Sequence, residues 1–79
     1  MTRRELADIL RSRYESAKRN EAALAVHLFG IDYAKEIRTN GYKAKEIVEE
    51  AGMERGYAAE LSKGIKLADH VIHVEGEMK

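Results

Sequence analysis

Five basic side chains between positions 43 and 66 of this 79-residue chain could contact phosphate groups: Lys43, Lys45, Arg55, Lys63 and Lys66. Ammonium and guanidinium groups bind phosphate oxygens through charge-assisted hydrogen bonds. The same stretch holds five acidic residues: Glu46, Glu49, Glu50, Glu54 and Glu60. Because each carboxylate that faces a phosphate opposes its binding, an anion site here requires the acidic and basic side chains to lie on different faces of the structure.

The residue types that serve metal binding and catalysis form no recognisable site. The chain has no cysteine, which excludes thiolate ligands and cysteine nucleophiles. His70 and His73 would face opposite sides of the strand predicted below, and no acidic cluster completes a metal site around them. His27 lies in an apolar segment and is predicted to be a hydrogen-bonded residue of the core or of a groove. We therefore expect no enzymatic activity, no metal and no cofactor.

Composition excludes several classes of protein. The chain has 14 basic and 14 acidic residues, so it is not a polycation that binds phosphate non-specifically. Its hydrophobic content of 44% is too high for a disordered chain, and no apolar run is long enough to cross a bilayer. The length predicts one domain over residues 1–79, whose core is held by apolar contacts alone or partly by a second copy. We expect a soluble, cytoplasmic protein that does not bind membranes.

Two long helices are predicted first. Thr2 and Glu5 have the spacing of a capping box, and apolar residues follow at intervals of three and four, which indicates a helix from about residue 3 to residue 17. Asn20, before Glu21, is a candidate N-cap for a second helix, and the sequence becomes strongly apolar from Ala22. Apolar residues on nearly all sides of this segment indicate a central helix. Gly30 in its interior indicates either that another helix crosses it closely or that the helix breaks there, and close packing is the favoured interpretation.

Two shorter helices and a C-terminal segment complete the predicted fold. A third helix runs from Tyr42 to Ala51, and a fourth runs from about Glu54 to Ser62, closed by Lys63 and Gly64. The β-branched residues between Val71 and Val74 indicate a short strand or an extended arm. The predicted fold class is therefore all-α, a small helix-turn-helix domain of about four helices with a short C-terminal strand or arm.

The third and fourth helices have the features of a helix-turn-helix. Gly52 can adopt the left-handed backbone that the turn between them needs. Met53 can fill the space between the two helices. Ala58 and Leu61 then provide the apolar residues that pack the fourth helix back on the third.

Residues 45–53 (KEIVEEAGM) and 57–64 (YAAELSKG) resemble the helix-turn-helix of the Cro and phage-repressor family, also called Xre-like. The resemblance covers about residues 43–67. In that family the second helix lies in the DNA major groove, and residues around it hold phosphates. By position, the resemblance implies base-reading residues at Glu54, Arg55, Tyr57, Ala59 and Glu60. It implies phosphate contacts from Lys43, Lys45, Lys63 and Lys66.

The leading hypothesis is a sequence-specific DNA-binding protein, a small transcriptional regulator that acts as a homodimer on double-stranded DNA. The first helix or the segment from Val71 to Val74 would supply the dimer surface. The basic residues among the first twenty positions could be a second phosphate contact or an ordinary solvated helix face. The alternative is a protein–protein interaction module or accessory subunit that has the helix-turn-helix shape and does not bind DNA. The chain could also be a fragment of a longer regulator.

Overall fold

Residues 1–71 are described by a computed structural model, in which they form four helices. These are α1 (Arg3–Ser16), α2 (Ala22–Asn40), α3 (Ala44–Glu50) and α4 (Gly56–Leu67). The described residues contain no strand, and the predicted all-α class of about four helices is confirmed. Of the predicted strand or arm, only Val71 is described, and the rest lies outside the described residues. That the whole chain forms one domain stays a prediction.

The capping box predicted at the start of α1 is confirmed. The Glu5 backbone N–H donates to the Thr2 hydroxyl oxygen at 3.0 Å, and the Thr2 backbone N–H donates to a Glu5 carboxylate oxygen at 2.7 Å. These two bonds satisfy amides that have no partner within the helix. Downstream, α1 places Leu6, Ala7 and Leu10 in the core with no exposed surface.

The central helix α2 begins differently from the prediction. Asn20 is not its N-cap, because Asn20 has a left-handed backbone with φ of 74° and Glu21 occupies the cap position. Asparagine tolerates this conformation better than most residues, so Asn20 makes the turn between the helices instead of capping. Helix α2 ends before Gly41, which has a left-handed backbone with φ of 71°. A glycine in this conformation terminates many helices.

A close crossing of α2 and α4 at Gly30 is confirmed, and Gly64 is its other half. A Cβ atom built at Gly30 would lie 2.9 Å from the Gly64 backbone, and one built at Gly64 would collide with the backbone of His27. The prediction that Gly64 closes the fourth helix is therefore wrong. The helix continues through Gly64 to Leu67, because this glycine serves the approach of two backbones and not a helix end.

The turn between α3 and α4 has the predicted geometry. Gly52 has a left-handed backbone with φ of 73°, and Met53 is buried between the helices, only 8% exposed. Ile47 and Leu61 are fully buried and connect the two helices through one apolar core. The core thus fixes the position of α4 relative to the rest of the described residues.

Candidate nucleic-acid interface

The outward surface of α4 is basic. Arg55 immediately precedes the helix, and Ala59, Lys63 and Lys66 follow it at intervals of four, four and three residues, so that all four lie on one side. All four are exposed. We call this surface, formed by Arg55, Ala59, Lys63 and Lys66, the α4 basic face. It contains two of the five predicted base-reading residues and two of the four predicted phosphate contacts.

The acidic residues of the α4 region turn toward α2. Glu60 accepts a hydrogen bond from the His27 Nε2 atom at 2.6 Å, and this bond lowers the pKa of the Glu60 carboxyl. Asp69, two residues beyond α4, binds the Arg38 guanidinium at 2.8 Å, which lowers the pKa of that carboxyl as well. Glu60 also lies 3.8 Å from the Lys63 ammonium group. Asp69 is therefore paired with Arg38 of α2, while Glu60 is hydrogen-bonded to His27 of α2 and paired with Lys63 of its own helix.

Two acidic residues of α3 are paired with α1. The Arg3 Nε atom donates to a Glu50 carboxylate oxygen at 2.7 Å, and an Arg3 terminal nitrogen lies 3.8 Å from Glu46. Glu49 and Glu54 are exposed and form no ion pair with any described residue. Of the five acidic residues between positions 43 and 66, three thus have a cationic partner, and Glu54 is the unpaired one nearest the α4 basic face.

Tyr57 faces α1. Its ring makes an edge-on contact with Tyr14, with 5.2 Å between the ring centres, and the side chain is half-buried against the core. The interaction with the Tyr14 hydroxyl raises the pKa of Tyr57. Among the predicted base-reading residues, Tyr57 and Glu60 are thus held by other helices, while Glu54, Arg55 and Ala59 are exposed.

The two predicted phosphate contacts in the α3 region lie at the start of α3. Lys43 is the N-cap of α3, and its backbone N–H donates to a Glu46 carboxylate oxygen at 3.1 Å. Lys45 is exposed.

Arg11 holds the turn of the helix-turn-helix, a role that the sequence did not reveal. One of its terminal nitrogens donates to the carbonyl oxygens of Ala51 at 3.1 Å and Gly52 at 3.0 Å. The same guanidinium binds Glu15 at 2.8 Å. Carbonyl groups at the end of α3 lack partners within the helix, so Arg11 satisfies them from α1 and fixes the turn that leads into α4.

The basic residues of the first twenty positions are mostly paired within the described chain. Arg3 binds Glu50, Arg4 binds Asp8, and Arg11 binds Glu15. Arg13 binds Asp32 at 2.7 Å and lies over the Tyr33 ring. Two remaining basic residues are exposed and have no ion pair to a described residue: Lys18 and Arg19.

The family model of an HTH-like domain matches residues 2–73. The chain belongs to the HTH-like domain family. The match supports a helix-turn-helix family and not the Cro type in particular. No curated protein and no solved structure shows significant similarity to the chain. None of the helices in residues 1–71 is both long enough and apolar enough to span a membrane.

Proposed function

We propose that this HTH-like protein binds double-stranded DNA in a sequence-specific manner and acts as a small, non-enzymatic transcriptional regulator in the cytoplasm. The observation that carries the proposal is the α4 basic face. Three cations lie on one side of the second helix of a helix-turn-helix, and the carboxylate of Glu60 is turned toward His27. A helix in this position of the motif is the element that enters the major groove.

The proposed contacts divide into base reading and phosphate binding. Arg55 would bind a guanine edge with two hydrogen bonds, and the methyl group of Ala59 would contact a thymine methyl. Glu54, beside Arg55, is the third candidate for a base contact. Lys63 and Lys66 would bind phosphates on one side of the groove, and the phosphate contacts proposed for Lys43 and Lys45 would come from α3. Tyr57 and Glu60 position α4 in this proposal and contact bases only if α4 rearranges.

The proposed active form is a homodimer. A single helix of this length reads only a few base pairs, and two copies on paired half-sites supply the affinity and specificity that a regulator needs. We therefore expect a palindromic recognition sequence.

Selection from a pool of random duplexes tests the proposal. We expect enrichment of one motif, with binding that weakens steeply as salt increases. If all sequences are enriched equally, the protein does not read bases and binds only the phosphates. If no duplex is retained at low salt, the protein does not act on DNA through this surface.

A second candidate is a protein–protein interaction module, and one observation favours it. The C-terminal part of α4 borders a shallow and mainly apolar depression lined by Lys63, Lys66, Leu67 and His70. Leu67 is 40% exposed there, which is unusual for DNA-facing surfaces but common at protein interfaces. A single stoichiometric protein partner that stays bound after nuclease treatment would support this function over DNA binding.

A further inference from the structure

Helix α2 carries a line of aliphatic side chains that lie outside the core cluster. Leu24 is 48% exposed, and Leu28 and Ile31 are half-buried. None of the three belongs to the core cluster or to the partly buried residues that pack against it. The buried residues of the same helix, such as Val26, Phe29 and Gly30, face α1 and α4. Such a helix buries one face and leaves a second apolar line partly exposed. That line provides a surface for another helix.

This partly exposed line has the residue spacing of a helix–helix interface. Glu21, Leu24, Leu28, Ile31 and Lys35 follow one another at intervals of three, four, three and four residues. This alternation keeps the four residues from Leu24 to Lys35 on one side of α2, and it is the repeat by which two helices pack along their length. Glu21 is the N-cap residue that immediately precedes the helix. We call these five residues the α2 stripe. Its apolar centre is bounded by an acidic residue at one end and a basic residue at the other.

The charges at the ends select the orientation of a second helix. Glu21 and Lys35 are both exposed, and neither forms an ion pair with a described residue. Each is seven residues from Leu28. In an antiparallel pair of α2 helices centred near Leu28, Glu21 of one copy would lie at the same end as Lys35 of the other, and the reverse pair would form at the opposite end. A parallel pair would place like charges together.

We infer that the α2 stripe is the homodimer interface of this protein and that its occupant is the α2 helix of a second copy, antiparallel and related by a two-fold axis. A two-fold interface must be self-complementary, and the stripe meets this condition in both its apolar centre and its ends. The inference rests on the dimer part of the proposed function. It assigns the interface to α2 and not to α1, whose apolar residues pack into the core.

The α2 stripe and the α4 basic face have no residue in common. Gly64 and Glu60 mark the side of α4 that faces α2, through the Gly30 crossing and the His27 hydrogen bond. Lys63 and Lys66 lie on the outward side of α4 and remain exposed. The two functions can therefore be measured separately.

Charge reversal in the absence of DNA tests both the interface and its orientation. The dimer dissociation constant of the full chain is measured by analytical ultracentrifugation. Glu21→Lys and Lys35→Glu each create two like-charge pairs, so we expect each to weaken the dimer about tenfold. The double variant Glu21→Lys/Lys35→Glu restores opposite charges at both ends and should recover most of the loss. In a parallel dimer the single variants would change little, and that result would overturn the proposed orientation.

Replacing the apolar centre tests the interface itself. Leu24→Glu should raise the dissociation constant by about 100-fold or abolish the dimer, because it places a carboxylate within the apolar seam. The matched control is Ser12→Glu, which adds the same charge to an exposed position of α1 and should leave the dimer unchanged. Circular dichroism checks that both variants remain helical. A wild-type protein that stays monomeric up to about millimolar concentration, or a folded Leu24→Glu dimer of normal strength, would overturn the inference. Either result leaves DNA binding by the monomer open to test.

Discussion

The two helices of the helix-turn-helix carry similar numbers of charges and differ in how those charges are paired. On the α3 side, Glu46 and Glu50 are bound by Arg3 of α1. On the α4 side the acidic Glu60 is bound by His27, while Arg55 and Lys66 have no ion pair within the described residues. Three of the five acidic residues between positions 43 and 66 are thus paired, whereas Lys63 is the one cation of that stretch with an ion pair to a described residue. The exposed cations without such a pair include Arg55 and Lys66 of the α4 basic face. The comparison shows that a zero net charge does not argue against an anion-binding surface.

The largest effect is expected where α4 is held in place. Gly30→Ala would put a methyl group 2.9 Å from the Gly64 backbone, which cannot move without shifting the helix. We expect a loss of about 2–3 kcal/mol of unfolding free energy in urea denaturation. The matched control is Gly56→Ala, where the added methyl group meets nothing within 4 Å. It should stabilise the protein by up to about 1 kcal/mol, because alanine favours helix over glycine. Equal effects of the two variants would show that the helices do not cross closely.

Base reading by α4 should depend most on Arg55. Replacing Arg55 by alanine removes the proposed bidentate contact, and we expect a loss of about 1–3 kcal/mol of binding free energy together with a relaxed preference at one base position. Competition between the selected duplex and single-base variants measures both. If Arg55→Ala weakens all duplexes equally, Arg55 binds phosphate and does not read bases.

The turn before α4 should depend on Arg11. Arg11→Ala leaves the carbonyl groups of Ala51 and Gly52 without their partner, and we expect it to cost about 1–2 kcal/mol of unfolding free energy. Arg4→Ala is the matched control, because within residues 1–71 Arg4 pairs with the exposed Asp8 alone, and surface pairs of this kind contribute about 0.5 kcal/mol or less. Urea denaturation of the two variants compares them, and similar losses would contradict the assigned role of Arg11.

The smallest effect on stability is expected for the Glu60 carboxylate, which is hydrogen-bonded to His27 of α2. The pKa of Glu60 lies below its ordinary value of 4.5 in the folded protein, so its interaction with His27 stabilises the fold fully above about pH 4.5. That contribution is lost as the pH falls through the lower folded pKa. Glu60→Gln should therefore reduce the dependence of the melting temperature on pH in this acidic range. An unchanged pH profile would show that the His27 hydrogen bond does not contribute to stability.

Signals from residues close together in the sequence predicted the helices and the turn. The arrangement of the candidate site depends on contacts between residues far apart in the sequence. The capping box at Thr2 and the turn at Gly52 depend on residues within one helical turn, and both are confirmed. Gly30 correctly predicted a close crossing, but no sequence signal identified Gly64 as its partner. A glycine near a helix end has the same local appearance whether it terminates the helix or meets another backbone.

The charge pairing could not be predicted for a related reason. Arg3 is separated from Glu50 by 47 positions, and His27 is separated from Glu60 by 33. No local pattern connects residues so far apart. The sequence therefore shows only equal numbers of acidic and basic residues between positions 43 and 66, and the pairing of these charges depends on how the helices pack. His27 is the exception, since its position in an apolar segment predicted a hydrogen-bonded residue, and this prediction is confirmed.

The most direct test of the central claim compares two pairs of exposed cations. Fluorescence anisotropy of a labelled duplex is measured between about 50 mM and 200 mM salt for the wild type, for Lys63→Ala/Lys66→Ala and for Lys18→Ala/Arg19→Ala, which have equal net charge. If the α4 basic face binds DNA, only the first double variant weakens binding to all duplexes, and its salt dependence falls by about 1.8 in slope. Equal losses in both double variants, or no wild-type binding at the lowest salt, would contradict the account.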